Sequence, residues 1–171
     1  ENLNGNDGVD TFEFSNQSTL TGSLTGGNGF DALIGDDSRA SEIFIIDAAN
    51  GGQFVSPAGL IIGGTYSGIE TLIGATGQDT FQFTNTGSLA GIIDGVGGSD
   101  TIIGDNDGNV FTVSNNDSGD LVDKINTSGI GAVGFINVEN LTGGAGADTF
   151  TIDSLLVGDL NGRSGNDQFI F

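Results

Sequence analysis

Six aspartates of this 171-residue chain, Asp10, Asp31, Asp79, Asp100, Asp148 and Asp167, share one setting, G-x-x-G-x-D-x-U. U is Phe12, Leu33, Phe81, Ile102, Phe150 or Phe169, always large and apolar. The aspartates form pairs 21, 21 and 19 residues apart. If the two turns of a pair lie on neighbouring strands, Asp10 sits over Asp31, Asp79 over Asp100 and Asp148 over Asp167, about 4.8 Å apart. At an effective dielectric near 20, two such carboxylates repel by about 3.5 kcal/mol, so some compensation is required. One answer is a bridging calcium ion, which takes roughly six to eight oxygens and finds backbone carbonyls beside the carboxylates in glycine-rich turns. The other is an Asx-type turn, in which each aspartate accepts hydrogen bonds from nearby amides.

Composition removes most other chemistry. The chain has no cysteine and no histidine, hence no disulfide, thiol nucleophile, imidazole base or usual zinc or haem ligand. Its net charge is -20, with 23 carboxylates against Arg39, Lys124 and Arg163, so nucleic acid and anionic membrane surfaces are repelled. No apolar run approaches the ~18 residues of a membrane span. Glu1 and the absence of methionine leave no sign of a signal peptide and imply a numbering that starts inside a larger or processed protein. A carbohydrate-active enzyme would need two carboxyls about 5 to 9.5 Å apart in a sugar-gripping cleft. Nothing singles out such a pair, because the aspartates repeat throughout, and one tyrosine with no tryptophan offers little for stacking sugars. A glycan- or ice-binding face is the other alternative, but Thr11, Thr80 and Thr149 recur too sparsely for a regular threonine array.

The elements that position these turns follow from self-comparison. Residues 1–14, ENLNGNDGVDTFEF, return as ETLIGATGQDTFQF at 70–83 and as ENLTGGAGADTFTI at 139–152, a period of 69. Seven of the fourteen positions are identical in all three copies, which points to a stacked-repeat architecture. The single domain 1–171 thus divides into repeats 1–69, 70–138 and a partial 139–171. With 32 glycines, any extended helix would carry several interior glycines at about 1 kcal/mol each. Short alternating runs such as TFEF, TFQF, TFTI and EIFII read as strands instead. The spacing predicts an all-β parallel β-solenoid of about seven coils of roughly 23 residues, three coils per repeat. The third coil, near Gly51–Phe54 and Gly119–Leu121, lacks the aspartate turn and reads as a plainer one.

GGNGFDALI at 26–34 resembles the G-G-x-G-x-D-x-U-x nonapeptide of RTX repeats. That resemblance implies calcium on Asp31 with turn carbonyls of Gly26, Gly27 and Gly29. The weaker matches put Asp10, Asp79, Asp100, Asp148 and Asp167 in the same place, with carbonyls of Gly143, Gly144 and Gly146 beside Asp148. RTX turns follow every nine residues, a denser spacing than this one. GDNDGN at 104–109, with Asp105, Asp107 and Asn109 as candidate oxygen donors, and its counterpart at Asp36 and Asp37 resemble the start of an EF-hand loop. The twelfth-position glutamate and flanking helices are missing, which favours a solvated acidic loop. The whole 69-residue phrase is similar to repeats of giant bacterial surface proteins of the filamentous haemagglutinin-like adhesin type. This implies a secreted or cell-surface location and a non-catalytic shaft, fibre or filament role. The implied partners are neighbouring repeats, identical subunits stacked end to end, surface glycans or other cells.

Overall fold

Glycines at short intervals leave little room for a helix. In the computed structural model the described residues, 1–84, 86–125 and 134–171, form strands and turns only. The strands, numbered in chain order, make two sheets. In spatial order the ten-stranded sheet runs β1 (Leu3–Asp7), β3 (Leu24–Asn28), β8 (Tyr66–Ser67), β6 (Gly51–Ser56), β5 (Ile43–Ala48), β10 (Thr80–Phe83), β12 (Thr101–Ile103), β16 (Asn140–Thr142), β18 (Leu160–Asn161). The short β7 (Gly59–Leu60) pairs with β6 outside that path. The nine-stranded sheet runs β19 (Gln168–Ile170), β17 (Thr149–Ile152), β13 (Val110–Asn115), β14 (Ser118–Leu121), β15 (Phe135–Ile136), β11 (Ile93–Asp94), β9 (Thr71–Ile73), β4 (Ala32–Ile34), β2 (Thr11–Glu13).

The protein is therefore all-β, and most strand pairings are parallel. Thr11 lies beside Ala32 and Thr80 beside Thr101, each 21 residues on, whereas Ala32 lies beside Thr71 and Thr101 beside Asn140. This spacing departs from a uniform 23-residue coil. The expected plain third coil is corrected too. Gly51–Phe54 and Gly119–Leu121 belong to β6 and β14, which fold back antiparallel on β5 and β13 as hairpins. Asn50 and Asp117 make the reversals possible: their φ values of 51° and 47° are left-handed, a conformation Asn and Asp tolerate better than most residues.

The hairpins have a global effect. Each keeps the chain in one sheet during an excursion, so a repeat crosses between the sheets an odd number of times. Equivalent strands consequently exchange sheets. β1, β9 and β16, which carry the Glu-x-Leu phrase, lie in the ten-, nine- and ten-stranded sheet in turn, and β2, β10 and β17 alternate in the opposite sense. Successive 69-residue repeats thus place equivalent strands in opposite sheets.

The core lies where the inward residues of neighbouring strands, parallel or in the hairpins, stand in register. One file runs Phe54, Phe44, Phe81, Ile102, Leu141, and the other contains Phe12, Leu33, Leu72, Ile93, Phe135 and then Leu121, Phe111, Phe150, Phe169. Phe44 stacks on Phe81 with ring centres 5.0 Å apart, and Phe111 stacks on Phe150 at 4.9 Å, the same contact one repeat later. Of the six U residues, Leu33, Phe81, Ile102 and Phe150 are fully buried and Phe12 partly so; Phe169, on the end strand, is 43% exposed. No helix among the described residues is long and apolar enough to cross a membrane.

Candidate functional site

The aspartate turns are built by close approach. Within each turn the aspartate folds back over the glycine five residues before it. A Cβ on Gly5, Gly26, Gly74, Gly95, Gly143 or Gly162 would stand only 2.0–2.8 Å from the Oδ2 of that turn's aspartate. The second glycine of the motif meets neighbouring backbone instead, except Gly8 of the first turn, around which nothing lies within 4 Å. At Gly98, where φ is 132°, a Cβ would lie 1.6 Å from the Gly77 carbonyl oxygen. Gly26→Ala is accordingly expected to destabilise the fold by about 1–3 kcal/mol through overpacking, measurable by urea unfolding. A neutral result would show that the turn relaxes freely.

The expected pairs are brought together, and a hydrogen bond joins each. The Asp10 amide donates to Asp31 Oδ1 at 2.8 Å, Asp79 to Asp100 at 2.8 Å, and Asp148 to Asp167 at 3.1 Å. The contact extends beyond the pairs. Asp31 donates its amide to Glu70 Oε2 at 2.8 Å, and Asp100 donates to Glu139 Oε2 at 2.7 Å. On the other side, the Asp36 amide donates to Glu42 Oε2 at 2.9 Å and the Glu42 amide to Asp79 Oδ1 at 2.8 Å. Asp36, Glu42, Asp79, Asp100 and Glu139 thus form one ladder in which each carboxylate accepts the amide of the residue before it. One repeat further along the chain the same ladder begins again as Asp105, Asn109, Asp148 and Asp167, with Asn109 in the place of Glu42.

Sequence reasoning missed Glu42, Glu70 and Glu139 as members, and singled out Asn109 only as an oxygen donor of the 104–109 loop, not as a member of the ladder. Glu70 and Glu139 carried a signal, since both begin the 69-residue phrase. Asn109 carried a partial one, standing five residues after Gly104 and two before the buried Phe111, whereas Glu42 carried none, since it lies against Gly35, seven residues before it.

Asp36, Glu42, Asp79, Asp100, Asp31, Asp105 and Asp148 are all at most 2% exposed. Burial raises the cost of their charge, and the chain's few cations are placed accordingly. Arg39 Nε lies 3.5 Å from Asp36 and 3.4 Å from Glu42, and Lys124 pairs with Asp105. Two of the three basic side chains thus stand at the heads of ladders. At Asp36, burial is outweighed by hydrogen bonds from the Ser38 hydroxyl and amide and the Gln17 amide, with Arg39 beside it, so its carboxyl is held below the ordinary range. Further along, compensation runs out. Burial pushes Asp100 up from 3.8 to about 7; the Asp79 amide opposes this, while the charges of Asp79, Glu139 and Asp94 add to it. Glu42 is pushed up from 4.5 to about 7, first by burial, with the Asp36 amide and Arg39 working against it and Asp79 and Asp36 adding to it. Asp79 is raised by burial against the amides of Ala75 and Glu42.

The oxygens left over decide where a cation could sit. Asp79 Oδ2 accepts the Ala75 amide and Asp148 Oδ2 the Gly144 amide, both at 2.9 Å. Asp10 Oδ2, Asp31 Oδ2 and Asp100 Oδ2 are buried and accept nothing among the described residues. Beside each is a carbonyl of the neighbouring turn: Gly26 O by Asp10, Gly68 O by Asp31, Asn137 O by Asp100. Asp10 Oδ2 and the Gly26 carbonyl oxygen would both stand 2.4 Å from a Cβ on Gly5. Gly27, Gly29, Gly144 and Gly146 are where the backbone of an adjacent turn rests against the chain. Asp37 and Asp107 are exposed, whereas Asp36 and Asp105 are buried and ion-paired, so neither acidic loop is an open set of oxygens. Among the described residues no three acidic side chains converge into a metal cage. What the ladder offers an oxygen-seeking cation is one unsatisfied carboxylate oxygen and one carbonyl per turn, at Asp10, Asp31 and Asp100. The chain matches no protein-family model, no curated protein and no solved structure.

Proposed function

We propose that the two sheets are walls of a parallel β-solenoid, and that the chain is a non-catalytic structural module of a secreted or cell-surface protein, such as an adhesin shaft, matrix fibre or filament subunit. The observation that carries this reading is the exchange of sheets between repeats, with the same strand pairings and carboxylate–amide contacts recurring after 69 residues. The recurring buried polar groups join one strand level to the next. A stiff repetitive rod has that economy of interactions, and its partners are further repeats or further copies along the axis, with glycans or other cells at its surface.

In this reading calcium stiffens the rod. Asp10, Asp31 and Asp100 would contribute their unsatisfied oxygens with the carbonyls of Gly26, Gly68 and Asn137, and the ion would relieve the charge burial that those turns otherwise sustain. Thermal melting in millimolar calcium and in EGTA tests it. Saturating calcium is expected to raise the midpoint by about 5–10 °C, the order expected of a few kcal/mol of linked binding in a chain of this size. Identical melts would remove calcium and leave the structural module standing. Short regular rods in electron micrographs would support the module, and compact globules would count against it.

A further inference from the structure

We propose that the groove over Ile34 and Ile73, on the outer face of the nine-stranded sheet, is a docking site for an extended peptide segment of a partner, with two basic residues four positions apart and an apolar residue midway between them. The site adds a surface to the rod and stands whether or not the chain is a filament subunit. Its floor follows from the register of parallel strands. In β2, β4, β9 and β11 the residues Glu13, Ile34, Ile73 and Asp94 lie side by side, so the outer face reads carboxylate, isoleucine, isoleucine, carboxylate. Leu33 and Leu72, one residue earlier, point into the core and are fully buried, whereas Ile34 and Ile73 stay partly exposed. Both β4 and β9 have paired neighbours on either side, so neither isoleucine owes its exposure to an end of the molecule. The groove has a volume of about 350 Å³, and Val96 and Asp37 line it with Glu13 and the isoleucines.

Two observations bear on what covers it. Val96 has a φ of 71° and is 46% exposed, although left-handed backbone is costly for a branched side chain. Asn6 and Arg163 hold the same place in other turns at 74° and 62°, so unbranched residues serve the turn with less strain. Strain of this kind gathers where a surface binds. The second observation is the same face on the opposite sheet. There Gln82, Ile103, Thr142 and Asn161 stand in the equivalent register of β10, β12, β16 and β18. Asn161 Oδ1 accepts the Arg163 amide at 2.9 Å just as Asp94 Oδ1 accepts the Val96 amide at 3.0 Å. The fold therefore works with amides at both acidic positions and with threonine at one of the isoleucines. What the carboxylates add on the nine-stranded face is attraction for a cationic partner, strengthened by the chain's net charge of -20. Glu13 and Asp94 stand three strand spacings apart, about 14 Å, which matches residues i and i+4 of an extended segment at about 3.4 Å per residue. Residue i+2 of that segment faces the same way and meets the isoleucines.

Fluorescence anisotropy of a labelled Ser-Lys-Ser-Leu-Ser-Lys-Ser peptide with the full chain, in EGTA, reads the docking. A dissociation constant on the order of 10–100 µM at low salt is expected, weakened about tenfold by roughly 0.5 M salt. Replacing both lysines of the peptide by glutamine, or its leucine by serine, is expected to weaken binding about fivefold or more. In the chain, Glu13→Gln combined with Asp94→Asn installs the residues of the opposite face and is expected to weaken binding about tenfold. Asp107→Asn combined with Asp153→Asn removes the same charge from exposed positions outside the groove and is expected to change it less than about twofold. Val96→Asn separates docking from packing. It is expected to raise the urea midpoint, because the strain is relieved, and yet to weaken the peptide about threefold. A chain of native circular dichroism that binds no peptide overturns the proposal, as does equal weakening by the two double variants, which would mean attraction to overall charge alone. A mass that grows with concentration without peptide, and stops growing in Glu13→Gln with Asp94→Asn, would overturn it in favour of a second copy in the groove.

Discussion

Replacing Phe44 by alanine is expected to lower the free energy of unfolding by about 3–5 kcal/mol, the range for removing a fully buried phenylalanine whose surroundings cannot collapse. Phe44 has no exposed surface and touches aromatic rings on both sides, Phe54 at 4.3 Å and Phe81 at 5.0 Å. It also stands where the β5–β6 hairpin joins the parallel strands, so its loss opens two strand contacts at once. Phe169→Ala is the control. Its ring has one stacked neighbour and is 43% exposed, so a cost of about 1 kcal/mol is expected in dilute solution. Urea unfolding followed by circular dichroism compares the two. Equal costs would mean that the files of side chains do not act as a continuous core.

The second large effect is an inverted dependence on pH. A carboxyl that ionises near 7 when folded and near 3.8 when unfolded, as Asp100 does, holds its proton more tightly in the fold. Its contribution to stability is fully present below about pH 4 and is lost as pH rises towards 7, on the order of 4 kcal/mol at 1.36 kcal/mol per pH unit. Glu42, moved from 4.5 to about 7, acts in the same direction. Asp36 acts oppositely: its lowered value gives stability that is present above 3.8 and disappears as pH falls through its folded value. In EGTA, stability is therefore expected to peak near pH 4–5 and to decline towards pH 8. Asp100→Asn should raise stability at pH 8 and flatten the decline, because an amide oxygen can still accept the Asp79 amide and no charge is buried. The chain already makes this substitution in kind, with Asn109 in the ladder position of Glu42. A stability that climbs steadily from pH 4.5 to 8, unchanged in the variant, would show that the buried carboxylates are ionised at little cost.

Several features were legible because the physics that produces them is local and repeated. A glycine five residues before each aspartate is required wherever the carboxylate folds back on the chain, so the motif survives in all six turns. The alternating Thr-Phe runs announce strands with one face inward, and Phe81 and Phe150 are buried as that alternation requires. The pairing of Asp10 with Asp31 followed from their 21-residue separation once parallel neighbours were assumed. The third segment was misread although it carried a local sign: Asn50-Gly51 between two apolar runs is a hairpin signal, and β5–β6 is a hairpin.

By itself, then, the sequence determined the class of structure, the 69-residue period, the glycine corners and the inward residues, because each depends on a chain and its copy a fixed distance away. Only the tertiary structure decided the exchange of sheets between repeats, since that depends on the parity of crossings and hence on a hairpin that turns back within one sheet. It alone decided the ladder as well. Glu42 meets Asp79 across 37 residues and Glu139 meets Asp100 across 39, distances set by the path of the hairpins rather than by any motif. Hydrogen bonding then separates carboxylates of the same motif position: Asp79 Oδ2 accepts the Ala75 amide, whereas the corresponding Val96 amide donates to Asp94, and Asp100 Oδ2 is left to a proton or a cation.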